Sequence, residues 1–319
     1  MRARPLRIRQ SPVTITMPRL RLHVFCVFLG LTVLLGDPPP AHAQSAEPAV
    51  AAPAVPAASA PRDETEQNVV TMPTTESMRR FGSHFRITHR FARDLGRGSV
   101  GDLASDLFGL DSGAIIGLDY RFAPTSNIQL AAYRTMLFRT VQFSGRYDML
   151  RQDAPWPVAI SALLSVEGTN NFRDDHAPAL GAVVSRTYGR RFAAYVSPTF
   201  VWNSLTPTGG AVTGHEGHDH GDIGLTEPIE EVTDENTAYI GLGARVLLPK
   251  TIYVALDYSP RMNGFTPGAG AWGIGIEKHT RGHLFQLNFS NSFGTTYGEL
   301  ARGGEPGNIY LGFNIARKF

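Results

Sequence analysis

The chain reads as all-β: a transmembrane antiparallel β-barrel of about 12 strands, with short periplasmic turns and long extracellular loops. Three features predict this. Short segments with a two-residue apolar period follow one another, the connections between them alternate between short and long, and charge gathers on the face opposite the apolar one. Successive side chains of a strand point to opposite faces, so this period marks an element with one greasy and one polar side. In a bilayer no sheet edge can stay open, which makes an even-stranded closed barrel the consistent solution.

The alternating runs lie near 83–92, 114–122, 127–135, 139–149, 157–167, 179–187, 191–201, 238–248, 251–259, 271–279, 283–291 and 309–319. Near 139–149, Val141, Phe143, Tyr147 and Met149 alternate with Gln142, Ser144, Arg146 and Asp148. Near 271–279, Trp272, Ile274 and Ile276 alternate with Gly273, Gly275 and Glu277. Each run approaches the roughly nine to eleven residues that a tilted membrane strand needs, and no useful 3.6-residue stripe interrupts them. The last run closes the sequence on Phe319, with Leu311, Phe313 and Ile315 on the same face. That ending is similar to the closing strand of outer-membrane barrels, which implies recognition of Phe319 by the barrel assembly machinery.

Links after the even-numbered runs are short: 123–126, 151–156, 189–190, 249–250 and 280–282. Those after the odd-numbered runs are long, at 92–113, 168–178, 202–237, 260–270 and 292–308, with 136–138 as the exception. A membrane barrel shows this asymmetry. The faces add a second criterion. A soluble barrel hides its apolar face, whereas here the other face carries Arg86, Arg90, Asp119, Arg121, Arg146, Asp148, Glu167, Arg245, Asp257 and Glu277. These are the candidate lumen-lining residues, expected to line a wet interior as ion pairs such as Arg146 or Arg245 with Asp148 or Asp257. Arg90 with Asp106 and Asp111 is expected to brace the barrel mouth. Aromatic residues at strand ends (Phe91, Tyr120, Phe122, Phe200, Trp202, Tyr258, Trp272) suit interfacial girdles.

Ahead of the barrel, residues 1–43 have the plan of an export signal. Arg19 and Arg21 precede an apolar core over 24–35, and Ala41-His42-Ala43 forms a small-residue cleavage site before Gln44. Met17 offers an alternative start. Residues 44–76, rich in Ala, Pro, Ser, Glu and Thr, read as a disordered tether, and 77–319 as the barrel. Of the 30 Lys+Arg and 28 Asp+Glu, six and one lie within residues 1–43, leaving 24 against 27 and a net charge of −3. Nucleic acid is thereby excluded as a partner. The only cysteine, Cys26, is in the signal, so the exported chain has no disulfide. The expected location is the outer membrane of a Gram-negative bacterium, in contact with its lipid.

Thr88-His89-Arg90-Phe91, Asp106-Leu107-Phe108-Gly109-Leu110-Asp111, Gly117-Leu118-Asp119-Tyr120 and Gly145-Arg146-Tyr147-Asp148 follow one another in a set order. In that combination the chain resembles, from about residue 71 to 319, a family of bacterial membrane β-barrels of unknown function marked by HRF and FGLD motifs. The resemblance implies a membrane barrel and carries over no catalytic residue. The family's HRF often runs into glycine, where this chain has Ala92.

Chemistry beyond the wall gathers in 214–222, where His215, His218 and His220 with Asp219 and Asp222 form a candidate site for zinc or another divalent cation. The rest of that link is acidic, through Glu227, Glu230, Glu231, Asp234 and Glu235, and would give a slight cation preference if it folded inward. The wall histidines His89, His279 and His283 have no serine in a recognisable elbow and no orienting acid at fixed spacing. Three functions therefore follow: passage or binding of a small polar solute, surface or metal binding through the His-rich loop, and outer-membrane hydrolysis. Twelve strands fall between the side-chain-filled barrel of about eight and the aqueous channel of about 16–18.

Overall fold

A single antiparallel sheet closes on itself. Its strands are β1 (Ser83–Asp94), β2 (Ala114–Phe122), β3 (Ile128–Thr135), β4 (Val141–Leu150), β5 (Ala159–Gly168), β6 (Asp174–Tyr188) and β7 (Phe192–Val201). The remainder are β8 (Thr237–Leu248), β9 (Ile252–Ser259), β10 (Arg261–Asn263), β11 (Ala271–His279), β12 (His283–Ser290) and β13 (Tyr310–Lys318). The computed structural model describes residues 66–319 apart from 112, 153–155, 190, 205–235, 265–268 and 281. The export signal and residues 44–65 of the tether therefore lie outside the described residues.

Neighbours in sequence are neighbours in the sheet, and β1 meets β13 to close the ring, with His84 opposite Lys318 and Arg90 opposite Gly312. β9 and β10 are one spanning strand interrupted at Pro260, which has no N–H for the ladder. The partner β8 keeps pairing past the break, and the Ile240 N–H donates to the Pro260 carbonyl at 3.1 Å. Counting that pair once gives the twelve spanning strands that the alternation predicts. β6 is the main departure: it begins at Asp174, so the second half of the expected long link 168–178 is strand, with Ala177 and Pro178 opposite Glu167 and Val166 of β5.

Both ends of the chain of strands, Ser83 and Lys318, lie at the short-turn end, where the Phe319 N–H donates to the Ser83 carbonyl at 2.8 Å. The wall is apolar outside and polar inside. Leu164 is 62% exposed, Ile276 59% and Leu287 52%, whereas the Arg86, Arg90, Asp119, Arg146, Asp148, Glu167, Arg245, Asp257 and Glu277 side chains are all buried. An apolar belt turned outward suits hydrocarbon and is the reverse of a soluble barrel.

Two segments fill the interior. Residues 66–76 enter from the short-turn end as a tight hairpin, in which Asn68 bridges Pro73, the Val69 N–H donates to the Met72 carbonyl at 2.8 Å and the Thr74 N–H to the Gln67 carbonyl at 3.0 Å. Composition assigns these residues to a disordered tether. They are instead buried: Val69, Val70 and Met72 pack with Leu163, Val183, Tyr195 and Ala255 of the wall. From the other end the link between β12 and β13 folds inward through a short helix, α1 (Tyr297–Arg302), whose Leu300 and Ala301 pack on Ala177, Val201 and Tyr239. Thr296 and Glu299 form its capping box: the Glu299 N–H donates to Thr296 Oγ1 at 3.2 Å and the Thr296 N–H to Glu299 Oε2 at 3.1 Å.

Candidate functional site: the lumen between two inserted segments

The inward ion pairs follow from the strand period, since residues i and i+2 share a face. Arg121 reaches Asp119 at 2.7 Å along β2, and Arg146 reaches Asp148 at 3.0 Å along β4. Arg245 and Glu277 pair at 3.1 Å across the intervening β9, where Ala255 of the same inward row leaves room for them. Glu277 also takes His279 at 3.0 Å and Gln286 at 2.7 Å. Glu167 is approached by Arg302 of α1 at 3.6 Å and accepts the Gly298 N–H at 2.9 Å.

Asp257 departs from the expected pairing with arginine. Its Oδ2 accepts the backbone N–H groups of Val70, Thr71 and Met72 at 2.9, 2.7 and 2.9 Å, capping the tip of the hairpin. Three converging amides form a nest that suits a carboxylate. The wall also fits the hairpin by shape. A Cβ on Gly241 would stand 3.0 Å from Met72 Sδ, one on Gly243 3.1 Å from Val69 and one on Gly273 2.9 Å from Val70.

The expected mouth brace is also rearranged. Asp106 pairs with Arg93 at 2.8 Å, and Asp111 is exposed. Arg90 donates to Asn314 Oδ1 at 3.0 Å and to the His89 carbonyl at 3.1 Å. The reason is the strand period: Arg90 points inward, while Arg93 lies past the end of its pairing with β2, nearer the folded loop. On the outer face, the His89 ring stacks on Phe313 at 4.5 Å. The metal candidates His215, His218, His220, Asp219 and Asp222 lie outside the described residues.

Guanidinium groups hold the hairpin by its carbonyls. Arg86 donates to Val70 O at 2.6 Å, Arg245 to Asn68 O at 2.6 Å, and Arg146 to Thr74 O at 2.9 Å and to Glu76 O. Gln286 donates to Val69 O at 2.8 Å and Gln129 to Glu76 O at 3.1 Å. At the hairpin's base, Glu66 pairs with His84 at 3.0 Å. Burial alone would raise the Glu66 carboxyl, but His84 and Arg86 outweigh it and hold it below the ordinary carboxylate range.

Between the hairpin and α1 lies a cavity of about 50 Å³. Asn68, Thr71 and Pro73 line it from the hairpin, Thr295, Tyr297 and Leu300 from the α1 segment, and Arg86, Asp119, Arg121, Tyr133 and Arg146 from the wall. Tyr133 ties wall to segment, its hydroxyl 2.8 Å from Thr88 Oγ1 and 2.5 Å from Thr295 Oγ1. Alternation finds the wall residues but misses both inserted segments. The signals for them were present: apolar Val69, Val70 and Met72 inside a polar stretch, and Thr296-Tyr297-Gly298-Glu299 as a helix-start pattern.

No protein of curated function matches the sequence. Among solved structures, the chain is similar to the NanC porin, at 8% identity and a TM-score of 0.45, covering 74% of this chain and 98% of that one. It is similar also to an outer-membrane channel of Pseudomonas putida F1 (9% identity, TM-score 0.44, covering 76% and 97%) and to Omp33 of Acinetobacter baumannii (9%, 0.41, covering 75% and 98%). A family model matches residues 65–319, a span that takes in the lumenal hairpin and leaves out the Ala/Pro-rich stretch before it. The chain thus belongs to the family described as "Membrane bound beta barrel domain (DUF5777)".

Proposed function

We propose that this barrel is an outer-membrane channel for a small polar solute, held shut by the 66–76 hairpin from one end and the α1 segment from the other. The observation that carries this reading is the polar cavity lined jointly by the two segments and the wall. A barrel needing only rigidity would fill its interior with wall side chains. Here two separate stretches of chain, each held mainly by hydrogen bonds and ion pairs, occupy the path. The hairpin joins the wall at the short-turn end and the α1 segment at the long-loop end, so each can leave without breaking a pairing between strands. The outward apolar belt, the family match and the export-signal plan of residues 1–43 support the outer-membrane location.

Planar-bilayer recording tests the proposal. The chain from Gln44 should give small, infrequent openings. A variant that starts at Ser77 and has residues 295–304 replaced by a short Gly-Ser link should conduct steadily. If that variant folds, as judged by its heat-modifiable gel mobility, and conducts no more than the intact chain, the channel reading fails.

A further inference from the structure

The hairpin in the lumen is itself informative about what the lumen binds. Residues 66–76 carry two acids, Glu66 and Glu76, and no base. The wall meets them with donors: Arg86, Arg146 and Arg245 take backbone carbonyls, Arg121 takes the Asn68 side-chain oxygen at 2.6 Å, and Gln129 and Gln286 take two more carbonyls. Asp257 is the wall acid that accepts from the hairpin's backbone amides. An acidic, oxygen-presenting occupant thus sits in a wall of guanidinium and amide donors.

The wall groups left behind when it departs are unequally partnered, and Asp257, which loses its three amides, acts by its charge on Arg90. Arg121, Arg146 and Arg245 each keep a wall carboxylate, in Asp119, Asp148 and Glu277. Arg86 and Arg90, buried on the inward face of β1, have no carboxylate within 4.0 Å among the described residues. Arg86 lines the cavity, and among the described residues its Nε has no hydrogen-bond partner; for Arg90 the same holds of Nε and Nη2. An acid whose charge acts on Arg86 is Glu66, and it belongs to the hairpin. Unmatched buried cations are costly, and an incoming anion offsets that cost, most effectively one whose paired oxygens fit the guanidinium fork.

We infer that the lumen is selective for small organic anions bearing carboxylate or phosphate oxygens, with Arg86 and Arg90 as the residues that set the sign. Arg86 lines the cavity between the inserted segments; Arg90, two inward positions along β1 with Thr88 between them, extends the path toward the long-loop end. The inference rests on the channel reading above and narrows its solute class. It also runs against the slight cation preference that the acidic stretch 227–235 suggests from sequence.

Reversal potentials across a potassium chloride gradient test it, read first on the openings of the intact chain and then on the variant lacking both inserted segments. Chloride should be favoured over potassium severalfold, and millimolar malonate should reduce the current. R86Q together with R90Q should bring the permeability ratio to one or below and relieve the malonate effect, while R317Q, on the outer side of the short-turn end, should leave both unchanged. A conducting barrel with no anion preference, or with one that R86Q/R90Q leaves intact, overturns the inference and spares the channel. A folded variant with no conductance overturns the channel reading and this inference together.

Discussion

Glu299 shows how much rests on one side chain. It caps its own helix through the Thr295 and Thr296 N–H groups, at 2.8 and 3.1 Å, while buried near Glu167. Burial, reinforced by the Glu167 charge, pushes its carboxyl up from 4.5 to about 7. For an acid raised in the folded state, the folded form binds more protons between the two values, so docking of α1 weakens as pH climbs from about 4.5 to about 7 and levels off above. A cysteine at Ala301, buried in the docked form, reports this directly in a chain that starts at Gln44, because residues 44–319 contain no cysteine. Its labelling should rise by about tenfold or more across that window, the equivalent of at least one pKa unit. E299Q keeps a neutral acceptor for the two N–H groups and should hold labelling low at every pH. A pH-dependent E299Q would assign the effect elsewhere. Gly298 is equally constrained, since a Cβ there would overlap the Glu167 carboxylate; G298A should expose the same cysteine without a pH window.

The hairpin and the strands differ in how openly the sequence displays them. Each strand repeats its two-residue period over eight residues or more and shows where it ends by a turn. The inward charges Asp119 and Arg121, or Arg146 and Asp148, pair because that same period places them together. Nothing periodic marks residues 66–76, whose burial depends on partners far along the chain: Gly243, Asp257 and Gly273 face one another across the adjacent strands β8, β9 and β11, more than a hundred residues after the hairpin. Composition sees Pro73 and a run of threonines and reads a tether. Strand β6 likewise runs further than the alternation predicts, with Pro178 inside it, opposite Val166. The hairpin's hold makes a sharp prediction. Asp257→Ala leaves three amides without their acceptor, at about 1–3 kcal/mol for each buried group that stays unsatisfied. The hairpin should therefore leave the lumen, and a cysteine at Thr71 should become reactive while the folded barrel keeps its gel mobility. Thr71 labelling unchanged in D257A would mean that the arginine–carbonyl contacts alone suffice.

Closure of the ring ties the ends of the barrel together and fixes what can act on the plug. With an even number of spanning strands, the first residue of β1 and the last of β13 both lie at the short-turn end, so the hairpin enters from that side. If short turns face the periplasm, as membrane barrels place them, a force or a binding partner that draws the hairpin out acts from inside the cell envelope. On the channel reading, a solute arriving from outside would meet α1 first. Opening would then need two events on opposite sides of the membrane, which suits a channel that stays shut by default. The orientation is therefore the premise to test. A cysteine at Gly101, exposed in the loop between β1 and β2, should label on intact cells with a membrane-impermeant thiol reagent. One at Ser126, exposed in the turn between β2 and β3, should label only after the outer membrane is permeabilised. The reverse pattern would put the hairpin's point of entry on the outer surface, where the plug answers to external ligands instead. Equal labelling at both positions would mean that the protein is not inserted across the membrane.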